Sequence, residues 1–230
     1  ELKYATKKPD LFTFRERIVS SDSPTAGRED VFPNVTDGFI FIVKAKSMKV
    51  VVESNRLAAD MMLPDNVPNP TQYSMDNMTK LFRQLNTELK LPSIDRIGVR
   101  SFWYKEVNTN NNDLVKGFKD RFYSTANDLI VSAVDVAVSL TLKDGDDKIN
   151  FNLGPMDNSQ LSEFINTNSK ATGIDSPIIV PQNSVFLDYD HYLLKSVNYS
   201  DNFLKSYLDK AIKNATQCAN KIEDIFGIQI

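Results

Sequence analysis

The sequence predicts an α+β protein: an antiparallel-rich sheet in two similar β-β-α-β-α halves, with a long C-terminal helix. A strand of alternating character at residues 96–107 carries the only tryptophan, and amphipathic helical patterns flank it on both sides. The same succession of strands and helices is predicted over residues 38–124 and again over residues 129–226. The predicted organisation is therefore an N-terminal strand and loop at 1–37, a first half at 38–124 and a second half at 125–230.

The strand at residues 96–107 is the stretch around which we expect the fold to be organised. It is rich in the β-branched and aromatic residues that strands favour. Its unusual feature is a glycine between two arginines on one face. One predicted face holds Ile97, Val99, Ser101, Trp103 and Val107, and the other holds Arg96, Gly98, Arg100, Phe102, Tyr104 and Glu106.

The first half is predicted from period-2 strands and one clear amphipathic helix. Upstream of it, residues 11–19 alternate well enough to predict a strand, and Pro, Gly, Ser and Asp residues at 20–37 predict a long loop. The predicted elements of the first half are strands at 38–45 and 49–54, a loop at 60–70, a helix at 72–89 and a shorter helix through Leu114, Phe118 and Phe122.

The second half has the cleanest predicted strand, at residues 130–142, where valines and leucines share one face. Asp144 and Gly145 predict a hairpin turn after it. The remaining predicted elements are a returning strand through Ile149, Phe151 and Leu153, a short helix at 160–165, a loop at 166–183, a strand at 184–192, and a helix at 202–226 capped by Ser200 and ended by Gly227.

Composition excludes some classes of function. A net charge of −3 provides no bulk attraction to nucleic acid or to an anionic membrane, so we expect neither partner. No apolar stretch approaches the ~20 residues that span a bilayer. Cys218 is the only cysteine, so no intramolecular disulfide can form, which favours a cytoplasmic location.

Two arginines and two aspartates form the candidate ligand-binding site: Arg96, Arg100, Asp188 and Asp190. Arg96 and Arg100 lie on one strand face, and guanidinium groups bind phosphate or carboxylate through forked hydrogen bonds. The alternative is a structural role, in which they pair with carboxylates of a neighbouring strand. Asp188 and Asp190 alternate correctly to share one face, so we expect Arg100 to pair with one of them across the sheet.

Residues typical of catalysis are few. His191, the only histidine, follows Asp190 directly, so the two side chains point to opposite faces of a strand. This spacing predicts neither a metal site nor a catalytic pair, and we interpret residues 185–194 as an edge or rim strand with one polar face. The sequence has no Gly-x-Ser-x-Gly elbow and no phosphate-binding glycine loop.

The acidic turn at Asp144, Asp146 and Asp147 lacks the ligand spacing of a helix-loop-helix calcium site, and we interpret it as a solvated hairpin turn. We therefore predict no catalytic residue, no metal and no cofactor.

The last predicted helix carries a seven-residue apolar repeat with small residues at its seam. Packing of this stripe within the protomer is one interpretation, and a dimer seam through the C-terminal helix is the other. Cys218 lies on the stripe, where it is expected to behave as a small hydrophobic residue. The stripe consists of Leu204, Leu208, Ala211, Ala215, Cys218, Ile222 and Ile225.

The chain resembles a sporadically distributed family of uncharacterised α+β proteins from bacteria and archaea. A strand with two arginines around an Ile-Gly-Val core, a later Leu-Asp-Tyr-Asp strand and a long C-terminal helix carry the resemblance, which covers about residues 38–228. The resemblance implies no settled activity, and it implies an accessory or defence-related role. The matching residues are Arg96, Ile97, Gly98, Val99 and Arg100, then Leu187, Asp188, Tyr189 and Asp190, and Phe226.

These observations lead to three functional hypotheses. The first is a non-enzymatic binding or assembly subunit, with a protein partner or a second copy bound through the sheet and the C-terminal helix. The second is a phosphate-directed enzyme or nucleotide sensor that uses the Arg/Asp cluster between the two halves. The third is a virus-derived structural protein with extended symmetric contacts. The small number of residues of the types used in catalysis favours the first hypothesis, a non-enzymatic subunit.

Overall fold

The computed structural model describes seven stretches of the chain, and the predicted strand at 11–19, the loop at 20–37 and the predicted stop at Gly227 lie outside them. The chain divides into two compact units. The first comprises Glu1–Pro92, Ile165–Pro177 and Tyr199–Lys205, and the second Ser93–Phe164, Ile178–Asn198 and Ser206–Ile230. The described stretches are residues 38–43, 48–53, 57–61, 70–89, 93–123, 128–171 and 178–226.

The first unit contains an antiparallel three-stranded sheet in the order β1-β2-β3 and one long helix. The strands are β1 (Gly38–Val43), β2 (Met48–Glu53) and β3 (Leu57–Met61), and the helix is α1 (Pro70–Leu89). Val50 of the central strand β2 is fully buried. β1, β2 and α1 confirm predicted elements. β3 was not predicted, because its sequence LAADM has no β-branched or aromatic residue and only its pairing with β2 makes it a strand.

The second unit contains a four-stranded sheet in the order β4-β7-β6-β5, in which every neighbouring pair is antiparallel. Two further helices, α4 and α5, contribute residues to both units. The elements are β4 (Ile97–Glu106), α2 (Asn111–Phe122), α3 (Asp128–Ser132), β5 (Val138–Asp144), β6 (Asp147–Asp157), α4 (Asn158–Ala171), β7 (Asn183–Leu193) and α5 (Asp201–Phe226).

The strand predicted at residues 130–142 is wrong over its first part. The short helix α3 ends at Ser132, whose hydroxyl donates to the carbonyl of Asp128 at 2.8 Å. The N–H of Val136 donates to the carboxylate of Asp135 at 2.8 Å. Such local side-chain bonds compete with a strand ladder, and the ladder with β6 begins only at Val138.

The hairpin between β5 and β6 confirms the predicted turn. The ladder closes at the pair Asp144 and Asp147, which leaves Gly145 and Asp146 as a two-residue loop. Gly145 has φ of +63°, a left-handed conformation that glycine adopts without steric cost. Two-residue hairpin loops favour this conformation because it matches the twist of the flanking strands.

The hydrophobic core of the second unit lies between one face of the four-stranded sheet and the helices α2 and α5. Phe118 of α2 is fully buried there, beside Leu153 of β6 and Leu187 of β7. Ala215 and Ile222 of α5 belong to the same cluster. From Leu204 to Ile222 the apolar stripe of α5 therefore packs within the protomer, which was one of the two predicted alternatives.

The fold class is α+β, with antiparallel sheets and a long C-terminal helix, as the sequence predicts. The cap of α5 is also confirmed, because Ser200 Oγ accepts from the N–H of Phe203 at 3.1 Å. The predicted order of the second half is found as β5-β6-α4-β7-α5, and α4 is longer than the predicted helix at 160–165. Among the described helices, none is long and apolar enough to cross a membrane.

The core generates a stability prediction. Replacing Phe118 with alanine removes a fully buried ring from the α2–sheet interface, and we expect a loss of about 3–5 kcal/mol in the free energy of unfolding. Urea unfolding followed by circular dichroism measures the change. Lys116→Ala, at an exposed position of the same helix, is the matched control and should change stability by less than about 0.5 kcal/mol. Equal losses for the two variants would contradict the packing described.

Candidate functional site

The pairing of β4 with β7 brings the predicted site residues together. In its register Arg100 lies opposite Asp190, and Phe102 lies opposite Asp188. Paired residues of antiparallel strands project from the same face, so both arginine-bearing and aspartate-bearing positions share one side of the sheet. We call this side, which carries Gly98, Arg100, Asp188 and Asp190, the polar face. The predicted meeting of residues 96–100 and 187–190 on adjoining strands is confirmed.

Arg100 and Asp188 form a forked ion pair across the two strands. Arg100 Nε donates to Asp188 Oδ1 at 2.8 Å, and Arg100 Nη2 donates to Asp188 Oδ2 at 2.6 Å. The hydrogen bond to Asp188 is the main cause that raises the pKa of Arg100. The Arg100 side chain is 58% exposed and the Asp188 side chain 12% exposed. The Asp188 carboxylate is therefore nearly buried, and it binds the Arg100 guanidinium at the exposed surface of the sheet.

Arg96 and Asp190 form a looser pair. Their nearest atoms, Arg96 Nη2 and Asp190 Oδ2, are 4.0 Å apart, which is an ion-pair distance and longer than a hydrogen bond. Burial raises the pKa of the Asp190 carboxyl, and the charges of Arg96 and Arg100 only partly oppose this effect. Because Arg100 is already bound by Asp188, the charge on Asp190 is the less well compensated of the two.

Each arginine also lies over an aromatic ring. Arg96 Cζ is 5.1 Å from the ring centroid of Tyr192, and Arg100 Cζ is 5.0 Å from that of Phe102. Both distances are within the range of cation–π attraction. The glycine between the arginines makes room for this arrangement, because a Cβ on Gly98 would lie 3.2 Å from Tyr192 Cβ. The arginines are thus positioned by rings as well as by carboxylates.

An aromatic cluster continues the polar face beyond Arg100. Phe102 of β4 contacts Phe164 of α4 edge-on, with ring centroids 4.9 Å apart. Phe186 of β7 lies 4.9 Å from Phe164 and 6.1 Å from Phe102. The two contacts of Phe164 are edge-to-face and the contact of Phe102 with Phe186 is stacked, and both arrangements are favourable. Phe102 remains 43% exposed, and Tyr104 beside it 40% exposed, so this end of the face presents aromatic surface to solvent.

Neutral polar side chains extend the polar face to β5. They are joined in pairs by hydrogen bonds between neighbouring strands. Ser139 Oγ donates to Asn152 Oδ1 at 2.6 Å, Thr141 Oγ1 donates to Asn150 Oδ1 at 2.9 Å, and Asn150 Nδ2 donates to Tyr192 Oη at 3.4 Å. The described part of the face therefore carries charges only at its β4–β7 side and at the turn end of the β5–β6 hairpin.

A second cluster lies on the opposite, helix-packed face and was not predicted. His191 is fully buried, and its Nε2 lies 3.0 Å from Asp147 Oδ2. Lys210 Nζ donates to the same oxygen at 2.6 Å. Tyr207 Oη donates to the carbonyl of His191 at 3.2 Å. Since an ionised carboxylate only accepts, Nε2 carries the proton in this contact, and Nδ1 has no hydrogen-bond partner within the described part of the chain.

The interpretation of residues 185–194 as an edge or rim strand is wrong. β7 lies between β4 and β6, and Ser184 to Tyr189 are all buried. The solvated-turn interpretation holds for Asp144 and Asp146, which are exposed, and fails for Asp147. A signal for this existed: alternation along β6 places Asp147 on the same face as Ile149 and Leu153, so its carboxylate must find a partner in the core.

Comparisons with protein-family models, with curated proteins and with solved structures give no match for this chain. The resemblance carried by residues 96–100 and 187–190 therefore stays a prediction. Among the described residues, no group of three or more His, Cys, Asp and Glu side chains is arranged to hold a metal ion.

Neutralising the two aspartates of the polar face should change the free energy of unfolding differently. Asp188→Asn removes the charge that binds Arg100, and we expect a loss of about 1–2 kcal/mol, since Arg100 is exposed enough to be partly rescued by water. Asp190→Asn removes a charge that burial disfavours, so stability should stay unchanged or rise. Urea unfolding at pH 7 compares the two variants. A larger loss for Asp190→Asn would contradict the assignment of the tight and the loose pair.

The contacts of Asp147 predict that the free energy of unfolding falls in acid. Burial raises the pKa of its carboxyl, but hydrogen bonds from Lys210 and His191 outweigh burial, and the net pKa lies below its ordinary value. Between the ordinary value of about 4 and the lower folded pKa, the unfolded chain binds more protons than the folded chain, so the free energy of unfolding falls as pH falls.

Urea unfolding at pH 7, 5, 4 and 3 measures this dependence. Asp147→Asn should flatten the decrease below about pH 4, whereas Asp146→Asn should leave it nearly intact because that carboxylate is exposed and its pair with Lys195 is screened by water. An unchanged pH profile for Asp147→Asn would contradict the prediction.

Proposed function

We propose that this chain is a non-enzymatic binding or assembly subunit that contacts a protein partner through its second unit. The supporting observation is a concentration of exposed apolar side chains in one stretch, which we call the exposed apolar segment. Large exposed apolar surfaces mark protein interaction sites more often than single exposed residues do. The segment comprises Leu129, Val131, Val134, Leu140 and Leu142, which are 78%, 59%, 88%, 45% and 47% exposed.

The polar face supports a protein partner over a phosphate ligand. Its two arginines, Arg96 and Arg100, are matched by two aspartates, Asp188 and Asp190, so the cluster has no net charge to offer an anion. A phosphate group would also have to displace the forked bond of Asp188 or approach both carboxylates. Exposed arginine and aromatic side chains, in contrast, are enriched where proteins bind proteins.

The second candidate is a phosphate-directed enzyme or nucleotide sensor that uses the same residues. The observation that favours it is the 4.0 Å separation of Arg96 from Asp190, which leaves N–H donors of that guanidinium for a ligand. The arginines belong to the predicted first half and the aspartates to the predicted second half, and both strands lie in the four-stranded sheet of the second unit. The charge balance makes this candidate the weaker one.

Self-association is part of the proposal, although through another surface than the apolar stripe of α5. Residues Ala211 and Ala215 of the stripe are fully buried, so the stripe is already used inside the protomer. The cytoplasm is the proposed compartment, since a chain with Cys218 alone needs no oxidising environment. An accessory or defence-related role follows from the resemblance only.

The proposal is tested by removing the exposed apolar segment without touching the core. The triple variant Leu129→Ser, Val131→Ser and Val134→Ser changes exposed positions only, so its stability should stay within about 1 kcal/mol of the wild type. The tagged full chain is purified from its own host, and any retained protein is then purified and titrated against wild type and variant. We expect at least about tenfold weaker binding by the triple variant.

Ile179→Ser is the matched control, because Ile179 is 96% exposed and lies outside the segment. It should bind as the wild type does. Equal binding by all three proteins would contradict the proposed surface. A rise in melting temperature with inorganic phosphate that Arg96→Ala abolishes would support the second candidate instead.

A further inference from the structure

The two outer strands of the four-stranded sheet differ in how they are protected. Within the part of the chain that the structure describes, β4 and β5 are the edges. Exposed edges template unwanted pairing unless charges, prolines or bulges blunt them. β4 carries Arg100, Lys105 and Glu106. β5 is seven residues long, and from Val138 to Leu142 it has no charge, glycine or proline. The charges of β5 are confined to Lys143 and Asp144 at its hairpin end, so among the described strands the edge of β5 is the less protected of the two.

The side chains of β5 suit an interface on both faces. Leu140 and Leu142 lie opposite Phe151 and Ile149 of β6, on the helix-packed side, yet they are 45% and 47% exposed. Thr141 lies on the polar face, where its hydroxyl is held by Asn150. A neighbouring strand would cover the leucines without disturbing this hydrogen bond.

The backbone groups that β5 offers follow from the hairpin. In a two-residue hairpin the closing pair, Asp144 and Asp147, is hydrogen-bonded, and hydrogen-bonded pairs then alternate along the ladder. The even-numbered residues of β5 therefore bond to β6. The N–H and C=O groups of Ser139, Thr141 and Lys143 point away from β6, toward the open edge.

We propose that β5 pairs with β5 of a second copy of this chain, antiparallel and with Thr141 on the two-fold axis, so that the four-stranded sheets of both copies become continuous. This inference rests on the proposed function and names the partner. The outward-pointing groups of residues 139, 141 and 143 would form about six backbone hydrogen bonds between the copies.

The register is determined by length, pattern and charge. With Thr141 on the axis, all seven residues of each β5 are paired, and Leu140 of one copy lies opposite Leu142 of the other. Lys143 then lies opposite Ser139 of the second copy. With Thr141 on the axis Val138 lies opposite Asp144, at the ends of the pairing. An axis at Leu142 would leave Val138 and Ser139 unpaired, and an axis at Lys143 would oppose two lysines, which is unfavourable.

A residue on the axis faces its own copy, which provides a specific test. Thr141→Lys places two ammonium groups opposite each other, and Thr141→Glu places two carboxylates there. At micromolar protein concentration, we expect light scattering of the purified full chain to give twice the 26.0 kDa chain mass. Each variant alone should have a dimer dissociation constant at least tenfold larger than that of the wild type. An equimolar mixture of the two variants should restore the dimer, because Lys then faces Glu.

Two further variants test whether the dimer depends on the backbone N–H of Thr141. Thr141→Pro removes an N–H that points away from β6, so it should abolish the dimer while leaving the monomer folded, as judged by circular dichroism and urea unfolding. Thr141→Val keeps the N–H and should keep the dimer.

A wild type that stays monomeric over the whole concentration range overturns the pairing, as does a dimer insensitive to Thr141→Pro or unrescued by the mixture. Neither result affects the proposed function, which depends on the serine variants of the exposed apolar segment. A monomer that binds a different protein through that segment would therefore refute the self-pairing alone.

Discussion

The antiparallel pairing of β4 with β7 is the constraint on which the rest of the second unit depends. It joins residues that lie about 90 positions apart in the sequence. Arg100 and Asp188, which form the forked ion pair, are separated by 88 positions. Once the pairing exists, alternation assigns every side chain of both strands to one of two faces. Apolar residues such as Leu187 then meet the helices, and Arg100 and Asp188 meet each other on the opposite face. The ion pair follows from this register and does not by itself create it, because its arginine is more than half exposed.

The two faces of β7 use charge in different ways. On the solvent face, Asp188 binds a guanidinium that water can also reach, so its loss is tolerable. On the helix-packed face, His191 is fully buried and Asp147 nearly so, and an unpaired charge there would cost several kcal/mol. Lys210 resolves this, since its exposed stem reaches inward to the Asp147 carboxylate. The C-terminal helix is therefore attached to the sheet by an ion pair as well as by its alanines.

Local periodicity predicted most elements, and alternation also predicted the distant pairing of Arg100 with Asp188. The features that were missed depend on hydrogen bonds or strand registers that no local pattern contains. The alternation of β4 and the apolar stripe of α5 are repeated signals, and both were predicted. Residues 130–137 have the same apolar alternation, but Asp135 bonds its own backbone neighbour and no ladder forms. The contact of Asp147 with His191 depends on the register of β6 against β7, 44 residues apart, and neither residue's local pattern contains that information.

The proposed function depends on the groups that the described sheet leaves exposed, and not on its ion pairs. The carboxylates of the polar face and of the acidic turn each lie near a cation, from Asp188 with Arg100 to Asp146 with Lys195. The cluster of Arg96, Arg100, Asp188 and Asp190 has no excess of one sign for a charged ligand, whereas in the acidic turn one cation, Lys210, is shared by Asp144 and Asp147. At β5, exposed apolar side chains coincide with a row of backbone groups that the hairpin register directs away from β6. The strand pairing that we propose would bury the apolar side chains and pair the backbone groups at once, which a small ion would not do.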